Sequence, residues 1–189
     1  MLKLRQLQEQ KKKALENKNK AQPTTTQLSS ARIRLQRDLD DLDLPPTVTM
    51  NILSSPIDPG SRSPPLLEIT AYPDEGFYKG GHFTFKLEFN DAYPIEPPTV
   101  ICTSKLYHPN IDIDGKVCLN ILREDWSPAL DVQSIIIGLL FLLLEPNAKD
   151  PLNKDAAMML STDTARFASL VNRSMAGYSI HGESYDYVL

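Results

Sequence analysis

The scarcest chemical groups of this 189-residue chain are gathered in one stretch, Lys105 to Asp131, which holds one of two cysteines, one of three histidines and the only tryptophan. Cys118 follows Gly115-Lys116-Val117 in a polar loop, where a side chain can be presented rather than packed. A cysteine thiolate attacks thioesters well, and thiol-for-thioester exchange is nearly balanced in free energy, so such chemistry needs no strongly activated thiol. The flanks agree: Asp112, Asp114, Glu124 and Asp125 outnumber Lys116 and Arg123, the opposite of the cationic setting that depresses a thiol pKa. A cysteine hydrolase would also need an ionising histidine beside the thiol. Cys102, in an apolar segment, reads as a buried structural cysteine. Asn110 has a side-chain amide that can donate to an oxyanion, an interaction worth ~3–4 kcal/mol. It can equally pin the loop, and both readings stand at this point.

The elements that must position these groups follow from pattern and punctuation. Ser29-Ser30 caps a helix with an apolar stripe at Ile33, Leu35, Leu39 and Leu42, stopped by Pro45-Pro46. Three period-two segments come next: Val48, Met50, Ile52; Leu67, Ile69, Ala71; and Phe83, Phe85, Leu87, Phe89. Tyr93 to Pro98 makes a proline-rich corner before a fourth short strand, Thr99 to Cys102. The short spacing predicts a four-stranded antiparallel meander. After the central loop, Asp131 opens an apolar helix ending at Glu145-Pro146-Asn147. Its strongly apolar run, Ile135 to Leu144, is about half the ~20 residues a membrane span needs, so it reads as a buried core helix. A short helix around Ala156 to Leu160 and a last helix from about Thr162 to Met175, closed by Gly177, complete an α+β domain over 29–177, with 178–189 set apart as a tail.

Charge is unevenly spread. Residues 1–20 carry seven Lys/Arg against two Glu, net +5, whereas the remainder carries thirteen against twenty-two, net −9, for the overall −4. Residues 1–28 therefore read as a mobile basic docking arm with an apolar head at Leu2, Leu4 and Leu7. An inert tail is the plainer alternative. No aromatic residue is interleaved with the lysines for bases to stack on, which argues against nucleic acid. Two cysteines and no secretory or transit signal favour a reducing compartment, cytoplasmic and nuclear.

His108-Pro109-Asn110, then seven residues, then Cys118, then Trp126-Ser127-Pro128-Ala129-Leu130, resembles the active-site segment of ubiquitin-conjugating enzymes. The element order from about Ser29 to Gly177 is also that of the ubiquitin-conjugating fold. The resemblance implies a transferase that carries a ubiquitin-like protein as a thioester on Cys118, with no cofactor and no metal of its own, since ATP is used by the upstream activating enzyme. It implies a loop-bracing role for His108, with Tyr107 and Pro109 beside it. Asp150 matches the carboxylate that orients the incoming lysine, and Asn120 a gate position often held by Asp or Ser. Trp126 is expected to pack on the active-site loop. Pro97-Pro98 and Ser127-Pro128-Ala129 match the two loops that contact RING-type ligases.

Finer motifs narrow the branch. Met1-Leu2-Lys3-Leu4 heading the arm resembles the conjugating enzymes of the neddylation (Rub) pathway. So do Pro73-Asp74-Glu75-Gly76-Phe77-Tyr78, Leu122-Arg123-Glu124-Asp125-Trp126 and Leu144-Glu145-Pro146-Asn147 running on to Lys154. By resemblance the partners are the modifier, its heterodimeric activating enzyme docked through Leu2, Leu4 and Leu7, a co-ligase pocket for Met1, a RING-type ligase and a cullin substrate, for a monomeric enzyme acting away from membranes. Relatives with an aromatic where this chain has Arg5 differ at that anchor. A ubiquitin-charged enzyme is the alternative. A cysteine-less binding variant is disfavoured because Cys118 is present.

Overall fold

The computed structural model describes residues 28–58, 61 and 63–189. The arm through residue 27, with Met1, Leu2, Leu4 and Leu7, lies outside them. Helix α1, Ser30–Asp40, is capped by the Ser29 hydroxyl, which accepts from the Arg32 N–H at 3.3 Å. Its buried line is Ala31, Leu35 and, less deeply, Leu39, and Leu42 just past its end packs on the same core. Ile33, expected on the apolar stripe, is 43% exposed, because it lies two residues from both Ala31 and Leu35 and so points off their face.

Four strands follow: β1 (Val48–Ser54), β2 (Leu66–Ala71), β3 (Phe83–Glu88) and β4 (Thr99–Cys102). They pair antiparallel in the order β1-β2-β3-β4, the expected meander, with Met50 opposite Ile69, Ile69 opposite Phe85 and Phe85 opposite Cys102. Alternation holds on the central strands, where Leu67, Ile69, Ala71, Phe83, Phe85 and Leu87 are buried. It fails on edge strand β1. Val48 is buried, Met50 only partly, and Ile52 is 49% exposed beside a bulge between Ile52 and Ser54.

Helix α2, Val132–Leu144, is capped by Asp131, whose carboxylate accepts from the Ser134 N–H at 2.8 Å. Val132, Ile135, Ile136, Leu139, Leu142 and Leu143 join the strand residues in one core. The expected core helix buries one face only, since Ile137 and Phe141 on the other are more than half exposed. Among the described residues no helix is long and apolar enough to cross a membrane. Asn153 caps α3 (Lys154–Thr162) and Asp163 caps α4 (Thr164–Met175).

Residues 178–189 belong to this body rather than trailing from it. Ile180 and Val188 are buried. Val188 donates to the Met175 carbonyl at 2.9 Å and accepts from the His82 N–H at 2.8 Å. The Lys105 N–H donates to the Asp186 carboxylate at 2.8 Å, and the Asp186 N–H returns to the Lys105 carbonyl at 3.2 Å. Composition did not reveal this packing, because the segment has only scattered apolar residues and no regular period.

Candidate active site

The turn that delivers Cys118 is made by Gly115. Its φ is +81°, and a Cβ there would lie 2.0 Å from the Cys102 carbonyl oxygen. The Cys102 N–H bonds the Gly115 carbonyl at 2.8 Å, so the end of β4 holds the turn. Cys102 itself is buried, its thiol pushed up to about 12 by that burial, and it stays a thiol.

His108-Pro109-Asn110 ties together three separate pieces of chain. The His108 ring is fully buried and stacked on Tyr78, with centroids 5.0 Å apart. Its Nδ1 accepts the Asn110 N–H at 2.9 Å, which leaves Nε2 as the donor to the Leu142 carbonyl at 3.0 Å. Burial holds its pKa down, to about 4, so the ring is neutral at physiological pH. Both nitrogens are committed away from the thiol. His108 therefore supplies no ionising partner for Cys118, which removes the hydrolase arrangement at this residue.

Pro109 presents its carbonyl to the N–H groups of Leu152 and Asn153, at 2.9 and 3.0 Å. The Asn110 amide donates to the Asn147 carbonyl at 2.8 Å and accepts the Asn147 N–H at 2.8 Å. The Asn110 carbonyl accepts the Cys118 N–H at 2.8 Å. One tripeptide thus fixes the last turn of α2, the 147–153 loop and the cysteine in a single frame. Tyr107 extends it: its hydroxyl donates to Asp155 of α3 at 2.8 Å, and its carbonyl accepts the Tyr78 hydroxyl at 2.8 Å.

Cys118 is partly exposed at the lip of a cleft of about 350 Å³, lined among others by Asn110, Asn120, Asn147, Lys149 and Asp150. The Asp150 carbonyl lies 3.8 Å from Sγ, and Asp150 holds a left-handed backbone, φ +49°. A partly exposed thiol, a buried amide and an acidic residue thus share one opening, a set on which acyl transfer to an amine can draw. Among the described residues no group of three His, Cys, Asp or Glu is placed to hold a metal ion.

A ubiquitin-conjugating enzyme family model matches residues 34–175. The chain belongs to that family. It is 58% identical over 189 residues to the NEDD8-conjugating enzyme UBC12 of Saccharomyces cerevisiae, covering 100% of this chain and 99% of the relative. It is 47% identical to the NEDD8-conjugating enzyme ubc12 of Schizosaccharomyces pombe, covering 98% and 99%. The solved structure of S. cerevisiae Ubc12 superposes with a TM-score of 0.83 at 58% identity over 98% of each chain.

Other features of this ubiquitin-conjugating enzyme were not legible beforehand. Trp126, half-buried, makes a tie to a distant corner of the chain. Its Nε1 donates to the Pro94 carbonyl at 2.9 Å and its ring lies 6.1 Å from that of Tyr93, so it ties the segment after the cysteine to the Tyr93-Pro94 corner. Arg34 of α1 completes that link. Its guanidinium pairs with Asp38 at 2.8 Å and donates to the Pro128 and Leu130 carbonyls at 2.8 Å each, and Tyr93 donates to the other Asp38 oxygen. Ser127, Pro128 and Ala129 are thus held exposed beside the corner that leads to Pro97 and the more buried Pro98. Gly138 of α2 makes room for a neighbouring turn. A Cβ there would meet Ile121 at 2.7 Å and Leu119 at 3.0 Å, so the glycine lets the 3₁₀ turn Asn120–Leu122 lie on α2. Asn147, met in the sequence only as the end of the Leu144-Glu145-Pro146-Asn147 motif, is the partner of Asn110.

Proposed function

We propose that this enzyme accepts a modifier of the NEDD8 (Rub) type from a heterodimeric activating enzyme as a thioester on Cys118, and transfers it to lysines of cullins with a RING-type ligase and a co-ligase. The observation that carries the reading is the 58% identity, along the whole chain, to an enzyme named for NEDD8 conjugation. Cys118 is the acceptor because the other cysteine is sealed in the core as a thiol. In discharge, a lysine amine attacks the thioester carbon, an oxyanion forms, and the C–S bond breaks with Cys118 leaving as thiolate. One N–H of the Asn110 amide is held by Asn147; the other is available to the oxyanion. Asp150, on the cleft wall, orients the incoming amine and helps strip its water. Asn120 lines the same opening without titrating.

The basic arm, through Met1, Leu2, Leu4 and Leu7, supplies the docking to the activating enzyme and co-ligase, and Pro97, Pro98, Ser127, Pro128 and Ala129 supply the ligase contact. The enzyme works as a monomer in the cytoplasm and nucleus, without a cofactor of its own. The deciding experiment mixes the chain with NEDD8, its activating enzyme and ATP, with ubiquitin and its activating enzyme in parallel. The reading requires a thiol-sensitive adduct with NEDD8 that is lost in Cys118→Ala and becomes reductant-resistant in Cys118→Ser. Equal or better charging with ubiquitin overturns the choice of modifier, and rapid release of free modifier overturns the carrier role.

A further inference from the structure

We propose that Lys149 is a self-modification site, to which the thioester on Cys118 is transferred within the same molecule when no outside lysine is supplied. The inference rests on the thioester reading above. Lys149 is exposed and lines the cleft that Cys118 opens into. Among the residues named on that wall it carries the one primary amine; the remaining polar groups are the amides of Asn110, Asn120 and Asn147 and the carboxylates of Glu145 and Asp150.

Its backbone is placed with some care. The Lys149 N–H is held by the Asn147 side chain at 2.8 Å, and Asn147 is itself fixed at both backbone polar groups by Asn110. The next residue, Asp150, brings its carbonyl to within 3.8 Å of Sγ. The root of the lysine is therefore set about one residue step, ~3.8 Å between Cα atoms, from the residue that touches the sulfur. Beyond that root the chain is a flexible four-carbon stem. Its ammonium is not tied down: among the described residues the ion pairs are Arg34–Asp38 and His181–Asp155. A group so tethered meets its target at an effective concentration on the order of millimolar or more, without diffusion or a partner.

The step balances without any added reagent. The Lys149 amine, after giving its proton to water or to the Asp150 carboxylate, attacks the thioester carbonyl carbon. The C–N bond forms, the nitrogen gives up its second proton to water, the C–S bond breaks, and Cys118 departs as a thiolate. The product is an isopeptide on Lys149 with the modifier's tail lying across the cleft, so the molecule cannot discharge again through the same opening. An outside lysine presented by a ligase competes with this route, which makes it a brake on charged enzyme that has found no substrate.

The test uses the full chain charged with NEDD8, its activating enzyme and ATP, after which ATP is removed and no amine is added. The expected result is a reductant-resistant adduct replacing the thioester, at a rate constant independent of enzyme concentration, with the isopeptide mapped by tandem mass spectrometry to Lys149. Lys149→Arg should give the thioester as before and slow the resistant adduct at least about tenfold. Cys118→Ala should give no conjugate on Lys149. A resistant adduct that maps to the arm lysines, persists at full rate in Lys149→Arg or forms in second order in enzyme overturns the proposal, as does a thioester that only hydrolyses. Failure to form any thioester is a different result, and it overturns the proposed function itself.

Discussion

Asn110 and Asn147, thirty-seven positions apart, exchange two hydrogen bonds of 2.8 Å, with both ends of one side-chain amide closed on the backbone of the other residue. The amide that pins the loop keeps a second N–H, which under the proposed function is the oxyanion donor. Asn110→Ala should therefore load near-normally from the activating enzyme, discharge to free lysine at least about tenfold more slowly, and lose roughly 2–4 kcal/mol of stability through the two unmet partners on Asn147. Single-turnover discharge and urea unfolding on one preparation check it. Slow discharge at unchanged stability would mean that the pin contributes nothing.

His108 predicts an acid weakness. Its folded pKa is held near 4 by burial, below the ordinary 6.5 of the unfolded chain. A depressed histidine stabilises the fold fully above about pH 6.5, and that contribution declines as pH falls toward 4, because the unfolded chain binds the proton more readily. Between pH 7.5 and 5 the loss from this one residue is about 2 kcal/mol. Urea unfolding at the two pH values should show it, and His108→Leu, less stable at pH 7.5, should show that much less dependence on pH.

The Arg34 fork joins α1 to the loop after Trp126, and a fork cannot be replaced by a point charge. Arg34→Ala should cost roughly 2–3 kcal/mol by leaving Asp38, with its side chain only 7% exposed, short of a partner. Arg34→Lys should recover less than half of that. Discharge to free lysine should hold while ligase-stimulated discharge falls, since the fork touches the Pro128 and Leu130 carbonyls and nothing at Cys118. Equal loss in both assays would show that the fork supports the whole site.

Removing residues 178–189 takes two buried side chains, Ile180 and Val188, from the core. At ~1.5–3 kcal/mol each, the truncated chain should lose roughly 3–6 kcal/mol. A melting temperature within a degree or two of the full chain would restore the segment to the status of a tail.

Much of the fold was legible because it depends on near neighbours. Ser29 and Asp131 cap the helices they precede, and the alternation of Leu67 to Ala71 and Phe83 to Leu87 reports a sheet with one face buried. The same logic misled at Ile33, Ile52 and Phe141. Periodicity says that an apolar face exists, but the reach of the core decides how far along an edge strand, and how far around a helix, burial extends.

The sequence by itself determined where the chemistry lies. A cysteine after a glycine turn in a polar loop, set against another in an apolar strand, separates Cys118 from Cys102 by local context alone. Tertiary structure decided what surrounds that thiol. The neutral state of His108, the closure of Asn110 on Asn147, the tie from Trp126 to Pro94 and the docking of residues 178–189 join positions about thirty residues apart or more. A hydrogen bond at such separation leaves no period in the chain. Its partner is chosen by where folding brings the backbone, and only there do the donor and the acceptor meet.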